Sequence, residues 1–175
     1  MLKETIKNIH NLNDVKISTV YSGIKNKSSK EDDLLLIEFD KEANIAGVFT
    51  KSLTSSAPVN QCKHNIKSFT PPSVRAIIVN SGNANAFTGK AGDETVLNIS
   101  KYLSKKFSCD INQIYTASTG VIGEQLNSKI IINGINKMNA SDASDWLKAA
   151  NAIRTTDTFS KLVSRKCKID NFEID

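Results

Sequence analysis

Three stretches of this chain gather small, hydroxylated and amide side chains: Asn80 to Gly89 (NSGNANAFTG), Ala117 to Glu124 (ASTGVIGE) and Thr155 to Thr158 (TTDT). The chemistry open to such residues is hydrogen bonding to a bound molecule. Hydroxyls and amides donate and accept, and glycine lets a backbone N–H come close to a ligand. Each stretch falls where a strand ends, which is where α/β folds build their sites. Taken singly, each also has a plainer use. Gly82 and Gly89 suit tight turns, and Asn83 and Asn85 suit Asx turns. Thr119 and Gly120 suit a strand end followed by a helix entry, and Thr155 and Thr156 suit caps, with Asp157 satisfying backbone donors.

Other chemistry has less support. Cys62, Cys109 and Cys167 are odd in number and far apart, without the C-x-x-C spacing of metal sites or disulfide scaffolds, which points to a reducing compartment. His10 and His64 stand in polar surroundings and read as solvated loop residues.

The elements that position the three stretches follow from local pattern. VKIST (Val15 to Thr19) alternates as a strand does, and DLLLIEF and NIAGVFT, separated by DKEA, read as a hairpin. The Lys and Ser cluster from Lys25 to Lys30 reads as a surface loop. Beyond Pro71 and Pro72, the β-branched run VRAIIV predicts a central strand leading into NSGNANAFTG. Asp93 can then cap a helix from about Glu94 to Phe107, with Val96, Ile99, Leu103 and Phe107 on one face. Ile111 to Thr119 predicts a further strand that delivers ASTGVIGE. Leu126 to Met138 carries Ile131, Ile135 and Met138 at helical spacing. A second helix, capped by Ser141 or Asp142 and presenting Trp146, Leu147 and Ala150, is expected to pack beside it. Val163, Cys167 and Ile169, with Phe172 and Ile174 beyond, predict a strand at the C-terminal end.

Composition bounds the rest. The 175 residues, 39% apolar and 23% charged, suffice for one domain with a sizeable core or for one piece of a larger shared core. The net charge of +5 is spread along the chain and broken by acidic stretches at Glu31 to Asp33 and Asp142 to Asp145, and only 6% of residues are aromatic. A nucleic-acid-binding face is therefore not expected. Apolar runs of four or five residues predict no signal peptide, no membrane span and a soluble, cytoplasmic protein.

NSGNANA and ASTGVIGE, with GVFTKSLTSSAPV (Gly47 to Val59) before them and TTDT after, occur in the order and approximate spacing of one family. From about Ser22 to Lys168 the chain resembles the N-terminal α segment of ornithine acetyltransferase, also called glutamate N-acetyltransferase, of arginine biosynthesis. The resemblance implies a precursor that cuts itself before an internal Thr, and an α/β (α+β) layered αββα sandwich with mixed sheets, of which residues 1–175 form the single α-chain domain. It further implies a β chain whose N-terminal Thr is the nucleophile, an α2β2 heterotetramer, and acetyl transfer from N-acetylornithine to glutamate. Thr119 and Gly120 are then the oxyanion hole, and Thr156, or failing it Thr155, binds substrate. No metal or nucleotide cofactor is implied, and acetyl-CoA enters only if the enzyme is bifunctional.

Two departures accompany the resemblance. The family more often has Cys where this chain has Phe87, so no thiol role is expected there. The family also continues into a segment with a substrate-binding Lys, a glycine-rich stretch and the cleavage site, so this chain is expected to be an α chain, or most of one, and inactive alone. The competing expectations are a noncatalytic ligand-binding or assembly domain of the same fold, and a related self-cleaving hydrolase.

Overall fold

The computed structural model describes residues 12, 14–25, 30–138, 145–170 and 172–174. Its centre is a four-stranded mixed sheet in the order β1 (Val15–Val20), β2 (Leu34–Asn44), β3 (Ser73–Asn83), β4 (Ile114–Val121). The β1–β2 and β2–β3 pairs are antiparallel and β3–β4 is parallel. β3 is an interior strand as its β-branched run predicts, with Val74, Ala76 and Ile78 buried along one face. The mixed α/β class expected from sequence is borne out.

Helices cover both faces of the sheet. On one, α2 (Gly89–Phe107) and α3 (Ser128–Lys137) bring Ile99, Leu103, Ile131 and Ile135 against Leu34, Leu36, Ala76, Ile78 and Ile114. On the other, α4 (Trp146–Ala152) packs Ala149 and Ala152 against Ile17 and Leu35. The alternation of a strand divides Leu34 from Leu35, and with them the two cores. The expected side-by-side pair of helices is therefore corrected: α3 and α4 lie on opposite faces.

Other elements also differ. DKEA is not a turn: β2 runs through it as one strand, with Asp40 N donating to the Asp14 carbonyl at 2.9 Å and Ala43 pairing with Val74 of β3 after a register shift between Glu38 and Ala43. NIAGVFT beyond Asn44 is not a strand. α2 begins five residues before Glu94, so Asp93 lies inside the helix and Thr88 is the N-cap. Ile111–Gln113 form a 3-10 turn capped by Asp110 ahead of β4, where strand was expected. Ser141 and Asp142 lie outside the described residues; the helix after them is capped by Asp145, whose Oδ1 accepts from Lys148 N at 2.9 Å. Leu147, expected on its buried face, is exposed. The C-terminal strand is two short ones, β5 (Cys167–Ile169) and β6 (Phe172–Ile174), turning at Asp170 with φ 53°.

One helix, α1 (Ala57–Asn65), is not legible in the apolar pattern at all. It lies along the outer edge of β4 and occupies that strand's free carbonyls. Gln61 Nε2 and Asn65 Nδ2 donate to the Ile114 carbonyl at 3.1 and 2.8 Å, and Cys62 Sγ donates to that of Thr116 at 3.3 Å. Covering an edge in this way removes a template for unwanted strand pairing.

Candidate active site

The C-terminal ends of β3 and β4 run side by side and in parallel, with Asn80 opposite Ser118, Ser81 opposite Thr119 and Gly82 opposite Gly120. Their main chains are pressed together. Gly120 has φ 135°, and a Cβ on it would lie 2.3 Å from the carbonyl carbon of Gly82 and 2.5 Å from Asn83 N. Gly82 has φ 103°, and a Cβ there would meet the Lys25 Cα at 2.5 Å. Three backbones, Lys25, Gly82 and Gly120, are thus stacked at distances that only glycine permits.

The asparagines of NSGNANAFTG support this strand end from within. Ser118 Oγ donates to Asn80 Oδ1 at 2.6 Å, and Asn80 Nδ2 donates to the Asn83 carbonyl at 2.8 Å. Asn83 Oδ1 accepts from Asn85 N at 2.7 Å while its Nδ2 donates to the Glu124 carbonyl at 3.1 Å. Asn85 Nδ2 donates to the Gly92 carbonyl at 3.1 Å and its Oδ1 accepts from Thr88 Oγ1 at 2.8 Å. Asn80, Asn83, Asn85 and Thr88 are all buried. Their amides are spent on the protein, so the stretch acts as a brace under the β4 end. Two backbone bonds, Ala84 N to the Val121 carbonyl at 2.8 Å and Gly123 N to the Ala86 carbonyl at 2.9 Å, tie the following loops together.

Thr119 and Gly120 sit on top of this brace, Thr119 half-buried and Gly120 exposed. Ser81, the register partner of Thr119, donates from its buried hydroxyl to the Ala152 carbonyl at 2.6 Å. Neighbours in register share a face, so Thr119 emerges on the α4 side of the sheet. The bond also pins the end of α4 to the strand end, and Thr155 and Thr156 follow three and four residues later, half-buried and exposed respectively. Among the described residues, none of the Thr119, Thr155 and Thr156 hydroxyls makes an intramolecular hydrogen bond. Asp157 does not cap a helix. Its carboxylate pairs with Lys161, whose hydrogen bond and charge hold the carboxyl below its usual range.

The backbone at the β4 edge is exposed at Gly120. α1 covers the carbonyls of Ile114 and Thr116, and among the described residues no α1 side chain reaches further along the strand. The two-residue period of a strand turns the next outward groups, those of Ser118 and Gly120, toward the same edge. Burial pushes the Cys62 thiol pKa up, so the neutral S–H persists as the donor to Thr116.

Two grooves lie elsewhere. One of about 270 Å³ separates α1 from α2 and is floored by Ala57, Val96 and Leu97, and one of about 240 Å³ beside it is lined by Thr54, Phe87 and Thr88. Neither includes Thr119, Gly120, Thr155 or Thr156.

Sequence reasoning missed Ser81, Ser118 and Asp33. Ser81 is inconspicuous because its acceptor lies 71 residues away. Asp33 reads as a charge bounding a strand, yet it is fully buried.

Comparison with known proteins identifies the family. The family model described as the ArgJ family matches residues 16–175. The chain belongs to the ArgJ family. It is 44% identical over 168 residues to the arginine biosynthesis bifunctional protein ArgJ of Bartonella henselae, covering 95% of this chain and 40% of that protein. The protein of the same name from Rhizobium meliloti is 41% identical over 165 residues, covering 93% of this chain and 38% of its own length. The chain thus spans about two fifths of these curated relatives. Among solved structures, the arginine biosynthesis bifunctional protein ArgJ of Bacillus halodurans matches with a TM-score of 0.78 and 27% identity, over 95% of this chain and 90% of that one. Ornithine acetyltransferase from Mycobacterium tuberculosis, solved with ornithine, matches with a TM-score of 0.69 and 31% identity, over 83% and 78%. The resemblance read from NSGNANA and ASTGVIGE is borne out at the level of family and fold.

Proposed function

We propose that this chain is the α-chain domain of a glutamate N-acetyltransferase, in which Thr119 and Gly120 donate hydrogen bonds to the reaction's oxyanion. The nucleophile is the N-terminal Thr of a β chain released by self-cleavage of a common precursor. Its α-amine takes the hydroxyl proton as the oxygen attacks the acetyl carbonyl of N-acetylornithine. The tetrahedral oxyanion collapses, the C–N bond breaks, and the proton passes to the departing ornithine amine. The acetyl ester is then attacked by the glutamate amine, through a second oxyanion, and the Thr hydroxyl is restored. Both oxyanions need donors already in place, because donors that must reorganise stabilise charge poorly.

Gly120 carries this reading: family membership brings the chemistry, and the glycine-only contact with Gly82 holds its backbone beside a Thr whose hydroxyl is uncommitted. Thr156, with Thr155 second, lies beyond the α4 end that Ser81 pins to the same strand pair, which supports its assignment to substrate. The exposed apolar side chains Val48, Leu53, Phe159 and Val163 support a β chain as cover and an α2β2 assembly, since such surface is costly in water. Among the described residues no helix is long and apolar enough to cross a membrane.

The test is Thr119→Ala in the complete α/β protein, assayed for acetyl transfer from N-acetylornithine to glutamate. Removing one oxyanion donor lowers kcat by about 10² to 10³. Turnover is normalised to the fraction of precursor cleaved, because the same donors can serve self-cleavage. Wild-type kcat in correctly processed mutant makes Thr119 a strand end and no more.

A further inference from the structure

Asp33 is fully buried at the start of β2, and nothing in the chemistry above uses it. Its Oδ1 accepts from the backbone N–H of Ser22 at 2.7 Å and from the Ser22 hydroxyl at 2.6 Å. Its Oδ2 accepts from the N–H groups of Gly23, Ile24 and Lys25 at 3.0, 2.6 and 3.0 Å. Four consecutive main-chain donors and a hydroxyl converge on one carboxylate, the arrangement by which a backbone nest holds an anion. A buried charge compensated this fully also fixes its donors, since any movement leaves it unpaired.

The segment held in this way is the one stacked on the candidate site. Ile24 and Lys25 of this segment lie over Gly82, with the Lys25 Cα and N at 2.5 and 2.7 Å and the Ile24 carbonyl carbon at 2.9 Å from where a Cβ on Gly82 would be. The Gly82 main chain is in turn the surface on which Gly120 rests. Asp33 grips the same strand a second time, because its own carbonyl accepts from Ser81 N at 2.9 Å. From Lys25 through Gly82 to Gly120 the close approaches are between main-chain atoms, which shift less readily than the ends of side chains.

We propose that Asp33 is a positioning residue for acetyl transfer: by clamping Ser22 to Lys25 against Gly82, its carboxylate sets the height and direction of the Gly120 N–H. The proposal rests on the oxyanion reading of Thr119 and Gly120. It assigns Asp33 to the transition state and not to substrate binding, which belongs to the segment after α4.

The experiment uses the complete, processed α/β protein and the variant Asp33→Asn, which keeps the shape but turns one acceptor into a donor facing N–H groups. A displacement of about 1 Å at a reacting group costs about 10²-fold. The expected result is kcat lowered by about 10- to 100-fold with KM for N-acetylornithine unchanged. In the double variant with Thr119→Ala, the loss is smaller than the product of the two single losses, since both act on one donor pair. Wild-type kcat per processed site, a raised KM, or a loss that multiplies fully with that of Thr119→Ala overturns the proposal, the last because a general weakening of the fold acts independently. Where Asp33→Asn is not recovered folded, Ser22→Ala removes one of the five donors and is read in the same way, with a smaller loss of kcat expected and wild-type kcat overturning. Thr119→Ala alone separates the two ideas. If it keeps wild-type turnover, the oxyanion reading falls and this proposal with it; if it is impaired while Asp33→Asn is not, only the positioning role falls.

Discussion

Replacing Gly120 by Ala probes the strand-end stack with one methyl group. The added Cβ starts 2.3 Å from the Gly82 carbonyl carbon and 2.5 Å from Asn83 N, so the two strands must part by about 1 Å to reach ordinary van der Waals separation. Gly82 cannot give way toward Lys25, because its far side is equally tight. The φ of 135° adds backbone strain of about 1–3 kcal/mol for any L side chain, and forced overpacking adds about 1–3 kcal/mol more. Gly120→Ala is thus expected to cost about 2–6 kcal/mol of stability, a large share of what a domain has. In protein that still folds, the 1 Å displacement lowers kcat by about 10²-fold. Urea unfolding followed by circular dichroism gives the first quantity and steady-state acetyl transfer the second. An alanine variant with wild-type midpoint and wild-type kcat would falsify the close-stacking argument outright.

Other expectations are more local. Thr156→Val keeps the shape and removes the hydroxyl, so substrate binding weakens by about 1–3 kcal/mol, read as a rise in KM; unchanged kinetics reject the assignment. Leu103, fully buried between α2 and the sheet, loses about 2–5 kcal/mol as Leu103→Ala in chemical denaturation, and a loss below 1 kcal/mol places the core elsewhere. Cys167 is exposed, while burial raises the Cys62 and Cys109 thiols above the usual range. Iodoacetamide at pH 8 followed by mass spectrometry should find Cys167 labelled first, and raising the pH should bring in the other two; early labelling of Cys62 contradicts its bond to Thr116.

The sequence was most readable where a local pattern and a tertiary role coincide. VRAIIV is β-branched and sits in the sheet interior, and Val96, Ile99 and Leu103 face the core at the spacing that predicts their helix. It was least readable where a neighbour overrides composition. Gly92 lies ahead of the helix expected from sequence but is inside α2, and it is glycine because a Cβ there would lie 2.0 Å from the Thr88 hydroxyl. DKEA looks like a turn but is an irregular stretch inside β2, between the Glu38–Ala76 and Ala43–Val74 pairings with β3. α1 carries few apolar residues, since its contacts with β4 are amides and a thiol reaching carbonyls about fifty residues away. For the candidate site, NSGNANA and ASTGVIGE marked the place, whereas Ser81 and Asp33 act through partners that no local window contains.

The clasp of α1 on β4 bears on the order in which the chain folds. At nine residues, α1 is too short to persist in water on its own, and its anchoring groups are 49 to 55 residues from their partners. It is made before β3 in the chain, yet the β4 carbonyls it holds come into place only when α2 has crossed over and laid β4 alongside β3. Closing such long loops is entropically expensive, so the clasp forms late. Protection of the α1 amides from hydrogen exchange then marks the moment at which the fourth strand has docked.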